Sequence, residues 1–192
     1  MIAQVETKTY TAEEYLEAEV NSLDRHEFIN GEIILMAGGT PDHNEIALNL
    51  GGALKLALKG KPYRTFSSDQ RLWVPQLNNY TYPDLMVVAK PIELQSGRTD
   101  TITNPLLIAE VLSKGTRAYD RDDKFAAYRS IPSFQEYLLI DQYRLRVEQY
   151  SKTDANKWIF SEYSSTGDRL MLMSVQVEIA IADLYENIEF SE

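Results

Sequence analysis

Two apolar runs constrain this chain most. Leu85 to Ala89 and Pro105 to Leu112 are short, rich in Leu, Ile and Val, and read as core strands. Each carries a carboxylate that such a strand does not favour. Glu110 stands inside the second run, and Asp84 opens the first behind Pro83, a residue at home at a strand entrance. A buried glutamate is costly unless it is paired or bound to a metal. Two carboxylates at the ends of neighbouring strands can converge on one hard cation such as Mg²⁺. The alternative is structural, with Glu110 in a salt bridge and Asp84 closing a turn. The two residues by themselves leave both readings open.

Composition narrows the chemistry further. The chain has 192 residues, no cysteine and two histidines. Without cysteine there is no disulfide, no thiol nucleophile and no tetrahedral Cys/His zinc site. Serine–histidine chemistry has only His26 or His43 to draw on, and no G-x-S-x-G elbow accompanies them. Walker A and dinucleotide fingerprints are missing as well. Carboxylates, lysines, hydroxyls and hard metal ions remain. The net charge of −10 argues against nucleic-acid binding by bulk charge, though not against a local basic cleft. The length fits one domain, residues 1–192, with a core over about 10–190. No apolar run reaches the ~18 residues of a membrane span. The N-terminus has no apolar stretch of the secretory type, and a cytoplasmic location is expected.

Local patterns place these acids in a mixed α/β chain. Thr11 with Glu14 forms a capping-box pattern, which predicts a helix to about Val20. Asn30-Gly31 between apolar-rich runs predicts a tight hairpin over Glu27 to Ala37. Thr40-Pro41 reads as the start of a helix that ends near Gly60. Tyr63 to Pro75 holds one or two strands, and Lys90 to Thr103 reads as a surface loop. A helix is expected over Tyr119 to Ser130. Strands follow at Tyr137–Ile140, Arg144–Tyr150, Trp158–Tyr163 and Leu170–Val177, with a short helix at Ala182–Asn187.

Pro83-Asp84, followed after a gap by Glu110-Val111-Leu112, resembles the PD-(D/E)XK nuclease signature. In that superfamily the two acids hold a metal, and a lysine two residues after the second acid serves the attacking water. Residues two apart on a strand share a face, which explains the spacing. Here that position is Leu112, which has no charge to offer. Lys124, on the following helix, lies one turn after Asp120 and one turn before Tyr128. Its long stem can reach the carboxylates if the helix packs across the strands. Equally, Asp120 and Lys124 can be an ordinary i, i+4 pair on a solvated face.

Tyr82-Pro83-Asp84-Leu85, Glu110-Val111-Leu112-Ser113, Thr116, Tyr119-Asp120-Arg121, Lys124 and Tyr128 together resemble the Uma-two family of restriction-endonuclease-like proteins. Glu27, Asn30-Gly31-Glu32, Met36, His43-Asn44, Ser68-Asp69, Arg71, Ser133 to Leu138 and Ala182 to Tyr185 extend the likeness over about residues 10 to 190. The resemblance implies a restriction-endonuclease-like fold: a central mixed sheet flanked by helices, here with an N-terminal hairpin and extra C-terminal strands. It implies that Asp84 and Glu110 are the acid pair and that Lys124 takes the role vacated at Leu112. Mg²⁺ or Mn²⁺ would be held by Asp84, Glu110 and the Val111 carbonyl. His43, Glu45 and Asp69 are accessory candidates, while Lys114, Arg117 and Arg121 are candidates for substrate contact. The implied activity is metal-dependent hydrolysis of DNA, and a homodimer would fit two strands of a duplex. Leu112 and the net acidity also suit a different expectation, a non-catalytic module that binds nucleic acid or protein on the same fold.

Overall fold

The computed structural model describes residues 8–190. Its frame is a six-stranded sheet built from β3 (Tyr63–Ser67), β6 (Leu85–Ala89), β8 (Pro105–Leu112), β9 (Glu136–Asp141), β10 (Val147–Asp154) and β11 (Lys157–Tyr163). The spatial order is β11-β10-β9-β8-β6-β3, with β8 and β9 parallel and the other neighbours antiparallel. Strands β6 and β8 are interior strands of this sheet, as their largely apolar runs require. A second sheet has the order β2-β1-β5-β4-β7 and comprises β1 (His26–Ile29), β2 (Glu32–Leu35), β4 (Arg71–Val74), β5 (Asn79–Thr81) and β7 (Thr101–Ile102).

Strand alternation divides the core in two. Leu85, Val87, Ala109 and Val111 face helix α2 (Pro41–Ala57) through its buried Ile46, Leu50 and Leu54. On this side also pack the hairpin β12 (Arg169–Leu172) and β13 (Val177–Ala180) and the short helix α5 (Ile181–Leu184). Met86, Val88, Ile108 and Leu112 face the other way, toward Leu72, Tyr128, Phe134 and Tyr137. Glu110 lies between Ile108 and Leu112 and so shares the second face. A helical stretch crosses it: α3 (Arg117–Tyr119), a π-helical turn (Asp120–Lys124) and α4 (Phe125–Tyr128).

Local chemistry explains the element ends. In α1 (Ala12–Val20) the Thr11 hydroxyl accepts from Glu14 N–H at 3.2 Å, and Glu14 accepts from Thr11 N–H at 2.8 Å. Asn30 and Gly31 both take positive φ, 51° and 86°, as a two-residue primed turn needs. Thr40 caps α2 by accepting from His43 N–H at 3.2 Å, and Pro41 occupies its first turn.

Four sequence expectations change. Strand β5 went unforeseen because its Asn79 and Thr81 are polar, although both are buried. The stretch Lys90 to Thr103 is not wholly loop, since β7 pairs with β4 and Leu94 bridges Ile102. Leu170 to Val177 is a hairpin rather than one strand, turning at Gln176 with φ 54°. Strand β10 starts at Val147, not Arg144, because the Asp141 carboxylate holds a turn by accepting from Tyr143 N–H at 3.0 Å.

Candidate active site

Asp84 and Glu110 meet because β6 and β8 pair with Leu85 opposite Ala109. Each acid binds the other's strand. Asp84 Oδ2 accepts from Val111 N–H at 2.8 Å, and Glu110 Oε2 accepts from Asp84 N–H at 3.3 Å. His43, in the first turn of α2, brings its Nε2 to 3.2 Å from Asp84 Oδ2. Both strands and the helix therefore fix the pair before any ligand arrives.

Lys124 arrives from the π turn and is only 8% exposed along its side chain. Its ammonium lies 3.2 Å from Glu110 Oε1, 3.2 Å from Glu27 Oε1 and 3.3 Å from Asp120 Oδ1. The Asp120–Lys124 pair exists, but it is buried within this cluster rather than on a solvated face. Tyr128 donates its hydroxyl to Glu110 Oε1 at 2.9 Å and sits 3.2 Å from the Thr81 hydroxyl. Asp120, Lys124 and Tyr128 recur every four residues and point inward together. The extra residue of the π turn adjusts that alignment, and such turns gather at functional sites.

Burial decides the charge state. It pushes the Glu110 carboxyl up to about 8; the Lys124 ammonium opposes the rise, while Asp84, Asp120 and Glu27 add to it. Burial works against the Lys124 charge too, yet Glu110 and Glu27 hold it well above its ordinary value. For His43, burial favours the neutral ring, but the Asp84 carboxylate raises the imidazole above its usual value.

A cleft of about 360 Å³ opens over this cluster. Asp84, Glu110, Lys124, His43 and Glu27 line it, and Met36 to Thr40 form part of its wall. Among the described residues, no three His, Asp or Glu side chains close around one metal position. Mg²⁺ does not need such a cage: it keeps much of its water and is usually held by one or two carboxylates plus substrate phosphate. Asp84 Oδ1 has no protein donor among the described residues, so the pair retains an oxygen for a hard cation. The donor set fits Mg²⁺ or Mn²⁺.

The structure brings Asp84, Glu110, Val111, Lys124 and His43 to one cleft. It leaves the other candidates elsewhere. Asp69 pairs with Arg25 at 2.9 Å on the surface, and Glu45 faces Asn187 at 3.5 Å. Arg117 is held by Asp141 at 2.9 Å, and Arg121 grips both oxygens of Glu148 at 2.8 and 3.1 Å. Lys114 lies over the Tyr143 ring. The two arginines are thus committed to carboxylates within the protein, while Lys114 has no carboxylate within 4.0 Å among the described residues. Sequence reasoning gave no role to Glu27 or Tyr128. Glu27 carries the same signal as Glu110, an acid inside a buried strand, but β1 is too short for periodicity to display it.

Comparisons with known proteins show what the chain is similar to. A curated protein of Synechocystis sp., uncharacterised protein sll1609, is 43% identical over 162 residues, covering 84% of this chain and 92% of that protein. A second from the same organism, uncharacterised protein slr1290, is 35% identical over 178 residues, 93% of this chain and 92% of its own length. The crystal structure of "a putative nuclease belonging to DUF820" from Anabaena variabilis superposes with a TM-score of 0.75 at 18% identity, covering 93% of this chain and 98% of that one. That likeness shows the shared restriction-endonuclease-like fold. Residues 12–182 match the Uma2 family, described as "Putative restriction endonuclease". With most of its length matched and both relatives above 30% identity, this chain belongs to the Uma2 family.

Proposed function

We propose that this protein is a metal-dependent endonuclease that hydrolyses phosphodiester bonds in DNA, with Asp84, Glu110 and Lys124 as its catalytic residues. The observation that carries the reading is the Lys124 ammonium at 3.2 Å from Glu110, on a carboxylate whose strand partner is Asp84. Asp84, Glu110 and the Val111 carbonyl would hold Mg²⁺ or Mn²⁺. Such a cation, when bound, supplies Lewis acidity toward phosphate and lowers the pKa of a bound water.

The chain's own residues do the rest. Tyr128 fixes Glu110 Oε1 by hydrogen bond, leaving Oε2 toward Asp84. Glu27 and Asp120 hold Lys124 in place and keep it protonated, so that it orients the attacking water or stabilises charge developing on phosphate. Burial of Glu110 and Lys124 strengthens these interactions relative to bulk water.

The test is cleavage of single-stranded, duplex and branched DNA with Mg²⁺ or Mn²⁺. Asp84→Asn preserves size and should lower the rate by about 10² or more, since it removes a charge that acts in the transition state. Parent-like cleavage by Asp84→Asn would show that the acid pair is not the site. No cleavage by the parent on any of these substrates, with either metal, would support the non-catalytic reading.

A further inference from the structure

Five basic side chains gather far from the acid cluster's ion pairs. Lys55 and Lys59 come from the end of α2, Lys61 and Arg64 from the turn and edge strand that follow, and Lys90 from the end of β6. Together they line a depression of about 280 Å³ with no acidic residue in its lining. Among the described residues none of the five has a carboxylate within 4.0 Å, in a chain of net charge −10. Arg117 and Arg121 are neutralised by Asp141 and Glu148. Among the described residues nine Lys and Arg side chains lack a carboxylate within 4.0 Å, and five of the nine gather on the α2–β3 side. Strand β3 is also the open edge of the six-stranded sheet.

A second depression of about 450 Å³ joins that patch to the catalytic cleft. It shares Lys55 and Thr65 with the basic end, and His43 and Asp84 with the cleft. Its floor is apolar and low. Ala47 and Gly51 sit one turn apart on α2, and Leu85 and Phe66 border them. A Cβ at Gly51 would come within 3.3 Å of Leu85 Cδ1, while one at Gly52 would project into open space.

We infer that this trough, from His43 and Asp84 along α2 to Lys55, Lys59, Lys61, Arg64 and Lys90, binds one single-stranded segment of a polynucleotide. Phosphates sit among the cations, and bases lie over the apolar floor. An apolar channel ending in unpaired cations matches a strand that is apolar on its base faces and anionic along its backbone. The inference takes its direction, toward Asp84, from the hydrolytic reading of that site. It explains how an acidic protein can present its carboxylates to an anionic substrate.

The experiment measures binding apart from cleavage. Fluorescence anisotropy of a labelled single-stranded oligonucleotide, without divalent metal, compares the parent with Lys55→Gln/Arg64→Gln/Lys90→Gln across a salt series. All three side chains are exposed, so the fold should survive. A charge-matched control is Arg129→Gln/Lys152→Gln/Lys157→Gln. The trough variant should bind about 10-fold more weakly at low salt, and its log–log salt slope should shrink by about 2, the share of three phosphate contacts on a single strand. The control should stay within about 2-fold of the parent. Parent-like binding by the trough variant overturns the proposal, as does equal or tighter binding of duplex with the same dependence on the three residues. Binding only to vesicles containing phosphatidylserine, with none to the oligonucleotide, overturns it in favour of a membrane surface. Loss of binding in the trough variant, with no cleavage by the parent, keeps the track and removes the hydrolytic reading. Cleavage that needs Asp84 but not the three cations does the reverse.

Discussion

Lys124 is one cation among Glu27, Glu110 and Asp120, with Asp84 beside them. Removing its charge by Lys124→Met leaves three carboxylates facing one another in a buried place. The expected cost is about 3 kcal/mol in urea denaturation, the scale seen when one partner of a buried pair is deleted. A loss under about 0.5 kcal/mol would mean the cluster is solvated enough to dispense with it. Glu110 adds a pH signature. Unfolded, its carboxyl titrates near 4.5; folded, near 8. Between those values the folded chain keeps a proton that the unfolded chain has released. This group's contribution is therefore fully present below 4.5 and is lost as pH rises through 8. Cation binding needs the carboxylate, so at pH 7 it should expel a proton, and Mn²⁺ affinity should climb from pH 6 to pH 8. Titration calorimetry in two buffers of different ionisation enthalpy reads this directly, and a flat affinity over that range would contradict it. Tyr128→Phe removes a hydrogen bond to the ionised form and should move the affinity profile to higher pH.

At the scale of elements, one more buried acid binds parts of the chain together. Glu136 on β9 is fully buried, and among the described residues no Lys, Arg or His lies within 4.0 Å of its carboxylate. Its oxygens accept from Gln149 at 2.6 Å, Ser151 at 3.0 Å, the backbone N–H groups of Met173 and Ser174 at 3.0 and 3.1 Å, and the Ser174 hydroxyl at 2.5 Å. It pins the turn of the β12–β13 hairpin against the sheet. Glu136→Ala should cost about 3 kcal/mol by urea melt, because several buried donors lose their acceptor at once. A cost no larger than that of an average surface substitution would show that water replaces it. Glu136 also marks what the sequence could not display. The acids in long apolar runs, Asp84 and Glu110, stood out because periodicity made their neighbours strands. Glu136 begins its strand, Glu27 lies in a strand of four residues, and β5 is polar; none breaks a pattern long enough to be noticed. The capping box at Thr11, the Asn30-Gly31 turn and the Thr40-Pro41 helix start were legible because each depends on residues within one turn. The π turn was not, since it arises from packing of the helix over β8 and β9. There Tyr137 donates its hydroxyl to the Asp120 carbonyl at 3.0 Å.

On the scale of the whole molecule, two cores lie on opposite faces of one sheet, and the site sits where β6 and β8 meet helices from both sides. His43 comes from one face and Lys124 from the other. Ligand binding at this seam should therefore report on the whole fold. With Mg²⁺ at about tenfold its dissociation constant, the folded state gains roughly 1.4 kcal/mol, a rise in Tm on the order of 3–5 °C for a chain of this size. Scanning calorimetry with and without 10 mM Mg²⁺ tests it, and Asp84→Asn should cancel the shift. An equal shift in that variant would place the ion elsewhere.

Leu112 has a consequence for how the site can be altered. It occupies the strand position where the resembling nucleases carry their lysine, and it is wholly buried in the same cluster as Tyr128. Moving the cation from the helix to that strand position has no smooth route. Placing lysine at 112 first would bury a second ammonium beside Lys124, while losing Lys124 first would strand its three acids. Both intermediates fold less well than either endpoint. Leucine at 112 and lysine at 124 therefore form a linked pair under the proposed reading, and single exchanges at either position are expected to fold less well than the parent.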